Sequence, residues 1–273
     1  MTAPILLTGG TGTLGRLVLP LLRQKGYDVR VLSRRPHPSA EGVEQVVGDL
    51  SSGEGVAAAV DGVETIIHCA GTARGDDVKA RHLVDAATGA GRPHLVFISV
   101  VGAERIPVTG RVDRAAFGYF ASKRAAEQVV FGSGLPWTTL RATQFHDLFL
   151  MTVRGLAKLP VVPVFSGFRF QPVDTGDVAA RLVELSLGSP AGMVAELGGP
   201  TIYTFAELVS SYLAATHRRR PLVSVRVPGD AARAIRGGAN LTPLNALGTR
   251  TWEDFLAQHL ADAARGRGQT AGR

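Results

Sequence analysis

A glycine-rich run near the start of the chain constrains its fold more than any other feature. Residues 8–15 read Thr-Gly-Gly-Thr-Gly-Thr-Leu-Gly, and they stand between a short apolar segment and leucines and valines at helical spacing. A strand, a glycine turn and a helix in this order form a site for a dinucleotide pyrophosphate, because the turn lets phosphate oxygens approach and the helix N-terminus offers unpaired N–H groups. The run predicts nucleotide binding at Gly9, Thr11, Gly12, Thr13, Leu14 and Gly15. A glycine-rich turn that binds nothing is the alternative.

Strand and helix patterns then alternate through the first half of the chain. This alternation predicts an α/β fold, a doubly wound parallel sheet with helices on both faces. We expect further strands at residues 28–33, 44–48, 63–68, 94–99 and 137–141, and helices at 52–60, 78–87 and 116–131.

After about residue 143 the pattern becomes irregular, with proline turns and short strands. Thr204 and Glu207 form a capping-box pattern, which predicts the start of a helix. Other predicted elements are a helix at 174–187, a strand at 222–227 and a helix at 252–260. The chain is therefore divided into a nucleotide-binding domain over 1–143, a smaller substrate-binding lobe interleaved with it over 144–262, and a disordered tail over 263–273.

Composition excludes several classes of protein. Hydrophobic residues make up 45% of the 273 residues, but no apolar run approaches the roughly 18–20 residues that span a membrane. The N-terminus lacks the basic flank of a signal peptide. Cys69 is the only cysteine, which excludes an intrachain disulfide framework and favours a reducing cytoplasm. We expect a cytoplasmic protein with no membrane partner.

The formal net charge of +7 is carried mainly by arginine, with a cluster at residues 217–220. No zinc-finger, helix-turn-helix or RNA-binding motif accompanies these charges, so we interpret them as a solvated basic face. The expected partner is a small-molecule substrate and not a nucleic acid. The histidines show no metal-ligand spacing, and we expect no metal.

The end of the second predicted strand indicates which dinucleotide is bound. An acidic residue there would bind the ribose 2′-hydroxyl, whereas arginine suits a 2′-phosphate. This chain has Ser33, Arg34 and Arg35 and no carboxylate nearby. Because arginine can grip a phosphate through two N–H groups, we predict a preference for NADP(H). A pair of ordinary surface arginines is the alternative.

Several motifs together resemble the short-chain dehydrogenase/reductase superfamily. They are the glycine run, Gly48-Asp49-Leu50, Cys69-Ala70-Gly71 and the Tyr-x-x-x-Lys of Tyr119-Phe120-Ala121-Ser122-Lys123. Residues 140–147 and 171–179 resemble the atypical, NmrA-like branch. The resemblance covers nearly the whole chain and implies a Rossmann domain that binds NADP(H).

The same resemblance implies where the cofactor would lie. Asp49 and Leu50 would flank the adenine, and Lys123 would bind the nicotinamide ribose. The middle of the cofactor and the nicotinamide would be lined by Cys69, Ala70, Gly71 and Thr72, and by Ala142, Thr143, Gln144 and Phe145, respectively.

Tyr119 and Lys123 are the predicted catalytic pair. Residues four apart lie on one face of a helix, and an ammonium beside a phenol lowers its pKa. Tyr119 would then act as general acid in carbonyl reduction, or as base in the reverse direction.

The third catalytic group of the family is a serine after the fifth strand, and two positions of this sequence could correspond to it. Ser99 is the candidate hydroxyl, but comparison with typical extended members places Val101 at the catalytic position. His146 follows the sixth strand and is a candidate substitute or substrate contact, with a structural role as the alternative.

Two functions compete. The first is an NADPH-dependent reductase of a carbonyl, quinone or similar small molecule, with Tyr119 as proton donor. The second is an inactive NADP(H)-binding redox sensor that reports to a protein partner, as the NmrA-like branch implies. An isomerase or dehydratase with bound cofactor is a third possibility. The sequence leaves the substrate and the oligomeric state open.

Overall fold

In the computed structural model, which describes residues 3–38, 40–72 and 74–270, seven strands form one parallel sheet. The strands of the chain are β1 (Ile5–Thr8), β2 (Val29–Ser33), β3 (Val43–Val47), β4 (Thr65–His68), β5 (His94–Val100), β6 (Trp137–Ala142), β7 (Val162–Phe165), β8 (Arg169–Phe170), β9 (Gly192–Met193), β10 (Tyr203–Thr204) and β11 (Leu222–Val225). The sheet has the order β3-β2-β1-β4-β5-β6-β9. This arrangement confirms the predicted doubly wound parallel sheet.

Helices cover both faces of the sheet. They are α1 (Gly15–Gln24), α2 (Val56–Val60), α3 (Asp76–Gly89), α4 (Arg111–Phe131), α5 (His146–Leu156), α6 (Thr175–Ser186), α7 (Phe205–Ala215), α8 (Asp230–Arg236) and α9 (Trp252–Thr270), with a short 3₁₀ helix at Pro243–Asn245. Apolar side chains of α1 and α6 pack on one face, and those of α2, α3 and α4 on the other. No helix in the described ranges is long and apolar enough to cross a membrane.

The second half of the chain builds a lobe but also returns to the sheet. α5, α7 and α9 pack with β7 around a separate apolar cluster that includes the fully buried Trp252. α8 packs against α4. Between these lobe elements, α6 covers the sheet beside α1, and β9 extends the sheet next to β6. The two halves are therefore interleaved in the chain.

The C-terminal segment differs from its sequence-based expectation. Helix α9 continues to Thr270, so residues 263–270 extend the last helix where the sequence analysis placed a disordered tail. Trp252, Phe255 and Leu256 anchor the start of this helix in the lobe, and alanine-rich sequence continues it. Residues 271–273 lie outside the described residues.

A buried ion pair ties α4 to the sheet. Arg141 of β6 donates from Nε and Nη2 to the two carboxylate oxygens of Glu127, at 2.7 and 2.8 Å. The Glu127 side chain is fully buried, and Arg141 also contacts Glu104 beyond β5 at 2.6 Å. Two parallel hydrogen bonds fix the guanidinium and the carboxylate in one plane. The pair therefore fixes the position of α4 relative to β6.

Removing one member of this pair should destabilise the protein strongly. Glu127→Ala removes two hydrogen bonds from the buried Arg141 and leaves it, within the described ranges, only the contact with Glu104, so we expect the free energy of unfolding to fall by about 3 kcal/mol, the lower end of the range for breaking a buried pair. Urea denaturation measures the change. The matched control is Glu184→Ala, because Glu184 also pairs with an arginine but is 68% exposed; its loss should stay below about 1 kcal/mol. Equal losses in the two variants would contradict the assigned role of the buried pair.

Candidate functional site

The carboxyl ends of the parallel strands gather most of the predicted site residues at one edge of the sheet. Parallel strands end at the same edge, where ligands of open α/β sheets bind. After β1 lie Gly9, Thr11, Gly12, Thr13, Leu14 and Gly15; at β2 and β3 lie Ser33, Arg34, Arg35, Asp49 and Leu50; after β4 lie Cys69, Ala70, Gly71 and Thr72; and at β6 lie Ala142, Thr143, Gln144 and Phe145. The edge is therefore continuous from the glycine loop to the end of β6.

The glycine loop is packed closely against the segment after β4. Gly9 has a φ of +73°, and a Cβ there would lie 2.7 Å from the Ala70 backbone nitrogen. A Cβ at Gly15 would lie 2.2 Å from the Gly9 carbonyl oxygen. Only glycine fits at these two positions. Thr11, Gly12 and Thr13 are exposed at the edge, so the loop presents backbone to solvent where a phosphate would bind.

Next to this loop, the ends of β2 and β3 bring a cation and a carboxylate near each other. Arg34 and Arg35 are exposed, while Ser33 is half-buried. Hydrogen bonding from Ser51 lowers the pKa of Asp49, and the Arg34 charge lowers it further. Leu50, the next residue after Asp49, is buried in the apolar core. Arg34 is therefore free of a direct salt bridge among the described residues and is open to an anionic ligand.

Beneath the loop, the end of β4 is uncharged. The His68 Nδ1 lies 2.7 Å from the Thr8 hydroxyl, and burial lowers the His68 pKa to about 3. Burial also raises the pKa of the Cys69 thiol to about 12. Both groups are neutral at physiological pH, so they offer no charge to a ligand lying over Cys69.

Tyr119 and Lys123 lie one turn apart on α4, as predicted. Tyr119 is 38% exposed, whereas Lys123 is almost fully buried. The Lys123 Nζ donates to the Ile98 carbonyl oxygen at 3.2 Å and lies 3.2 Å from Asp76 Oδ2. A Cβ at Gly71 would lie 2.9 Å from this ammonium, so the segment after β4 passes directly over it.

Asp76, which contacts Lys123, is a residue of the candidate site that was not predicted from the sequence. It is fully buried at the start of α3 and accepts a hydrogen bond from the Thr72 backbone N–H at 2.8 Å. Burial alone would raise the pKa of Asp76, but Lys123, the Thr72 N–H and Lys79 hold it below its usual value. An acidic residue in the first turn of a helix is usually explained by its favourable interaction with the helix dipole. Asp76 and Lys123 are far apart in the sequence, so no short motif indicated that they would pair.

The pKa of Tyr119 corrects one expectation. From the sequence, Lys123 is expected to lower it; desolvation of the phenol instead raises the pKa of Tyr119, and Lys123 offsets this only in part. The Asp76 carboxylate, which pairs with Lys123, adds to the increase. Tyr119 is therefore a protonated phenol at neutral pH, suited to donating a proton and not to accepting one.

The predicted serine offers no accessible hydroxyl. Ser99 lies inside β5 and is 3% exposed, and its Oγ has no hydrogen-bond partner among the described residues. Val101, the alternative position, follows β5 and is fully buried. Neither residue presents a donor at the surface of the edge beside Tyr119.

The end of β6 contributes a partly buried surface. Ala142 and Thr143 are buried, and the Thr143 hydroxyl donates to the Gln171 carbonyl oxygen at 2.5 Å. Gln144 and Phe145 are half-buried. Both amide atoms of the Gln144 side chain are buried and lack hydrogen-bond partners among the described residues.

The geometry does not support a substrate or catalytic role for His146. Its side chain is fully buried at the start of α5, and its ring packs at a tilt against Trp252 and Phe255 of α9. The ring Nδ1 lies 3.9 Å from Asp174, which caps α6 and pairs with Arg250 at 2.9 Å. His146 therefore helps to join α5, α6 and α9, which is the structural alternative named above.

Known proteins resemble this chain in sequence. A family model described as NAD(P)H-binding matches residues 9–185. The (4-alkanoyl-5-oxo-2,5-dihydrofuran-3-yl)methyl phosphate reductase of Streptomyces griseus is 31% identical over 84% of this chain and 79% of its own length. The ceramide reductase of Caulobacter vibrioides is 30% identical over 70% of this chain and 63% of its own length.

A solved structure shows the same fold. The NADPH-dependent quinone oxidoreductase of Escherichia coli, in complex with NADPH, has a TM-score of 0.79 and 18% identity. The match covers 94% of this chain and 99% of that chain. At this identity the likeness concerns the fold alone.

The pairing of Asp76 with Lys123 should affect the pKa of Tyr119. In Asp76→Asn, Lys123 loses the carboxylate that neutralises it, so we expect the pKa of Tyr119 to fall. The tyrosinate absorbance of Asp76→Asn, minus that of the same variant carrying Tyr119→Phe, isolates this titration. Asp77→Asn is the control, since Asp77 neighbours Asp76 but forms no ion pair with Lys123. A Tyr119 pKa that is unchanged in Asp76→Asn would refute the coupling.

Proposed function

Because the chain belongs to the NAD(P)H-binding family of the short-chain dehydrogenase/reductase superfamily, we propose that it is an NADPH-dependent reductase of a carbonyl or quinone-type small molecule. The observation that carries the proposal is Tyr119, a protonated phenol beside a buried Lys123–Asp76 ion pair, at the edge that also holds the glycine loop. The names of the relatives support a reductase.

The residues present fit a phosphorylated nicotinamide cofactor. The close packing at Gly9 and Gly15 leaves exposed backbone in the loop for the pyrophosphate. Arg34 is exposed and suits a 2′-phosphate. Lys123 has three N–H donors, of which Ile98 and Asp76 engage two, so one is left for a ribose hydroxyl. When bound, the cofactor supplies the hydride.

In the reaction, the chain itself would position the substrate and supply the proton. Tyr119 would donate its phenolic proton to the substrate oxygen as negative charge develops there. Lys123, held by Asp76, stabilises the tyrosinate that is left, and Asp76 keeps this charge from ionising Tyr119 beforehand.

A catalytically inactive NADP(H)-binding redox sensor is the second candidate. It is favoured by Ser99, whose hydroxyl is buried inside β5 and cannot polarise a substrate carbonyl from there. Such a protein would bind NADPH tightly and turn over no substrate. NADPH oxidation across a panel of quinones, aldehydes and ketones separates the two candidates.

Replacing the proposed proton donor gives the sharpest test. Tyr119→Phe should lower turnover by about 100-fold or more, the usual contribution of a positioned general acid, while NADPH affinity stays the same. Tyr27→Phe is the matched control, because Tyr27 packs under the sheet far from α4. Steady-state NADPH oxidation and fluorescence titration measure the two quantities. Full turnover in Tyr119→Phe would assign the proton to another group.

The cofactor preference has its own test. Arg34→Ala should weaken NADPH binding by roughly 10-fold to 100-fold, the value of a charged hydrogen bond, and leave NADH binding almost unchanged. Arg81→Ala, which removes an exposed arginine from α3, controls for the loss of charge. Isothermal titration with both cofactors gives the ratio of affinities. If wild-type protein binds NADPH and NADH equally, the preference is refuted.

A further inference from the structure

The net positive charge of the chain is concentrated in two segments of the lobe. Residues 154–170 contain three lysines or arginines and residues 208–229 contain four, and neither segment contains aspartate or glutamate. These seven cations equal the formal net charge of +7, so the rest of the chain is neutral overall. Protein surfaces usually intersperse both signs of charge. The excess charge therefore lies in these two segments of the lobe, and four of the seven cations are Lys158, Arg218, Arg219 and Arg220.

The fold brings the two segments side by side. β7 pairs with β11 in parallel, and the Val162 N–H donates to the Pro221 carbonyl oxygen at 2.9 Å. The strands therefore begin together, and Arg218 reaches the Ala157 carbonyl oxygen at 3.5 Å. A groove of about 480 Å³ lies here between α7 and β11. We call this region the basic end; its cations are Lys158, Arg218, Arg219 and Arg220.

Aliphatic side chains stand exposed next to the basic end. Leu159 and Val161 are each 42% exposed, Val223 is 50% exposed and Val225 is 40% exposed. On the inner face of the same two strands, Val162, Val164 and Leu222 pack into the lobe. Residues alternate between the two faces of a strand, so Val223 and Val225 share the outer face. The sheet is thus apolar on its solvent side as well.

We propose that the basic end and the adjoining outer face of β7 and β11 dock on the surface of an anionic lipid bilayer. Cations near an anionic leaflet each add roughly fivefold to the affinity, and exposed aliphatic groups enter the boundary between headgroups and acyl chains. A second copy of the chain is disfavoured because it would bring like charges together. A nucleic acid is disfavoured because the exposed apolar groups are aliphatic and offer no stacking surface. This proposal differs from the sequence-based expectation, in which the basic residues form a solvated face and the protein has no membrane partner.

Co-sedimentation with lipid vesicles tests the proposal, independently of any enzymatic activity. Vesicles of phosphatidylcholine containing one quarter phosphatidylglycerol should bind the protein, and vesicles of phosphatidylcholine alone should not. Raising the salt concentration from 0.1 to 0.5 M should release the protein, because the attraction between exposed charges is screened.

Charge variants locate the surface. Lys158→Ala/Arg219→Ala/Arg220→Ala spares Arg218, which bonds within the lobe, and should weaken binding to anionic vesicles roughly 100-fold. The matched control, Arg81→Ala/Arg181→Ala/Arg265→Ala, removes three arginines elsewhere and should bind like wild type. Val161→Ser/Val223→Ser should weaken binding severalfold while leaving the salt dependence unchanged. Unchanged thermal unfolding and NADPH binding would show that each variant is folded.

Several outcomes would overturn the proposal. They are failure of the wild-type protein to bind anionic vesicles, equal binding to neutral vesicles, and equal losses in the two triple variants. Capture by an immobilised polyglutamate peptide without any vesicle binding would assign the surface to an acidic protein segment instead.

Discussion

Two buried ion pairs hold helix α4 against the sheet, and the candidate site depends on both. Tyr119, Lys123 and Glu127 follow one another at intervals of four residues, so they lie along one face of the helix. Lys123 pairs with Asp76 at the start of α3, and Glu127 pairs with Arg141 in β6. Buried charges tolerate little displacement, since each would lose its partner without gaining water. The position of Tyr119 at the edge is thereby fixed from two sides.

The first of these pairs also bears on the protonation of Tyr119. Asp76 neutralises Lys123, and this neutralisation together with burial keeps Tyr119 protonated. Below the glycine loop, burial keeps His68 uncharged. The fixed negative and positive charges are thus balanced within the protein before any ligand binds. Under the proposed function, such a site would release one proton from Tyr119 as charge develops on a substrate, in the direction of a reduction.

The sequence predicted the first half of the fold closely and the lobe poorly. Strands β1 to β6 lie within two residues of their predicted positions, because short segments rich in β-branched residues alternate there with helical patterns. The capping box of Thr204 and Glu207 begins α7 as predicted. Helices α5 and α8 were not predicted, since their apolar faces are short and pack on distant elements. Asp76 was missed, and the role of His146 was left open between two alternatives, because burial and ion pairing depend on contacts far apart in sequence.

The interleaving of sheet and lobe affects how the molecule can be divided. The chain leaves the sheet after β6, builds α5 and β7, returns for α6 and β9, and then leaves again for α7. A single cleavage after Ala142 would separate the sheet from α6, whose side chains cover one of its faces, and from β9 at its edge. The nucleotide-binding half would then expose its apolar interior to water. The two halves consequently form one cooperative folding unit, and neither corresponds to a continuous fragment that could be produced alone.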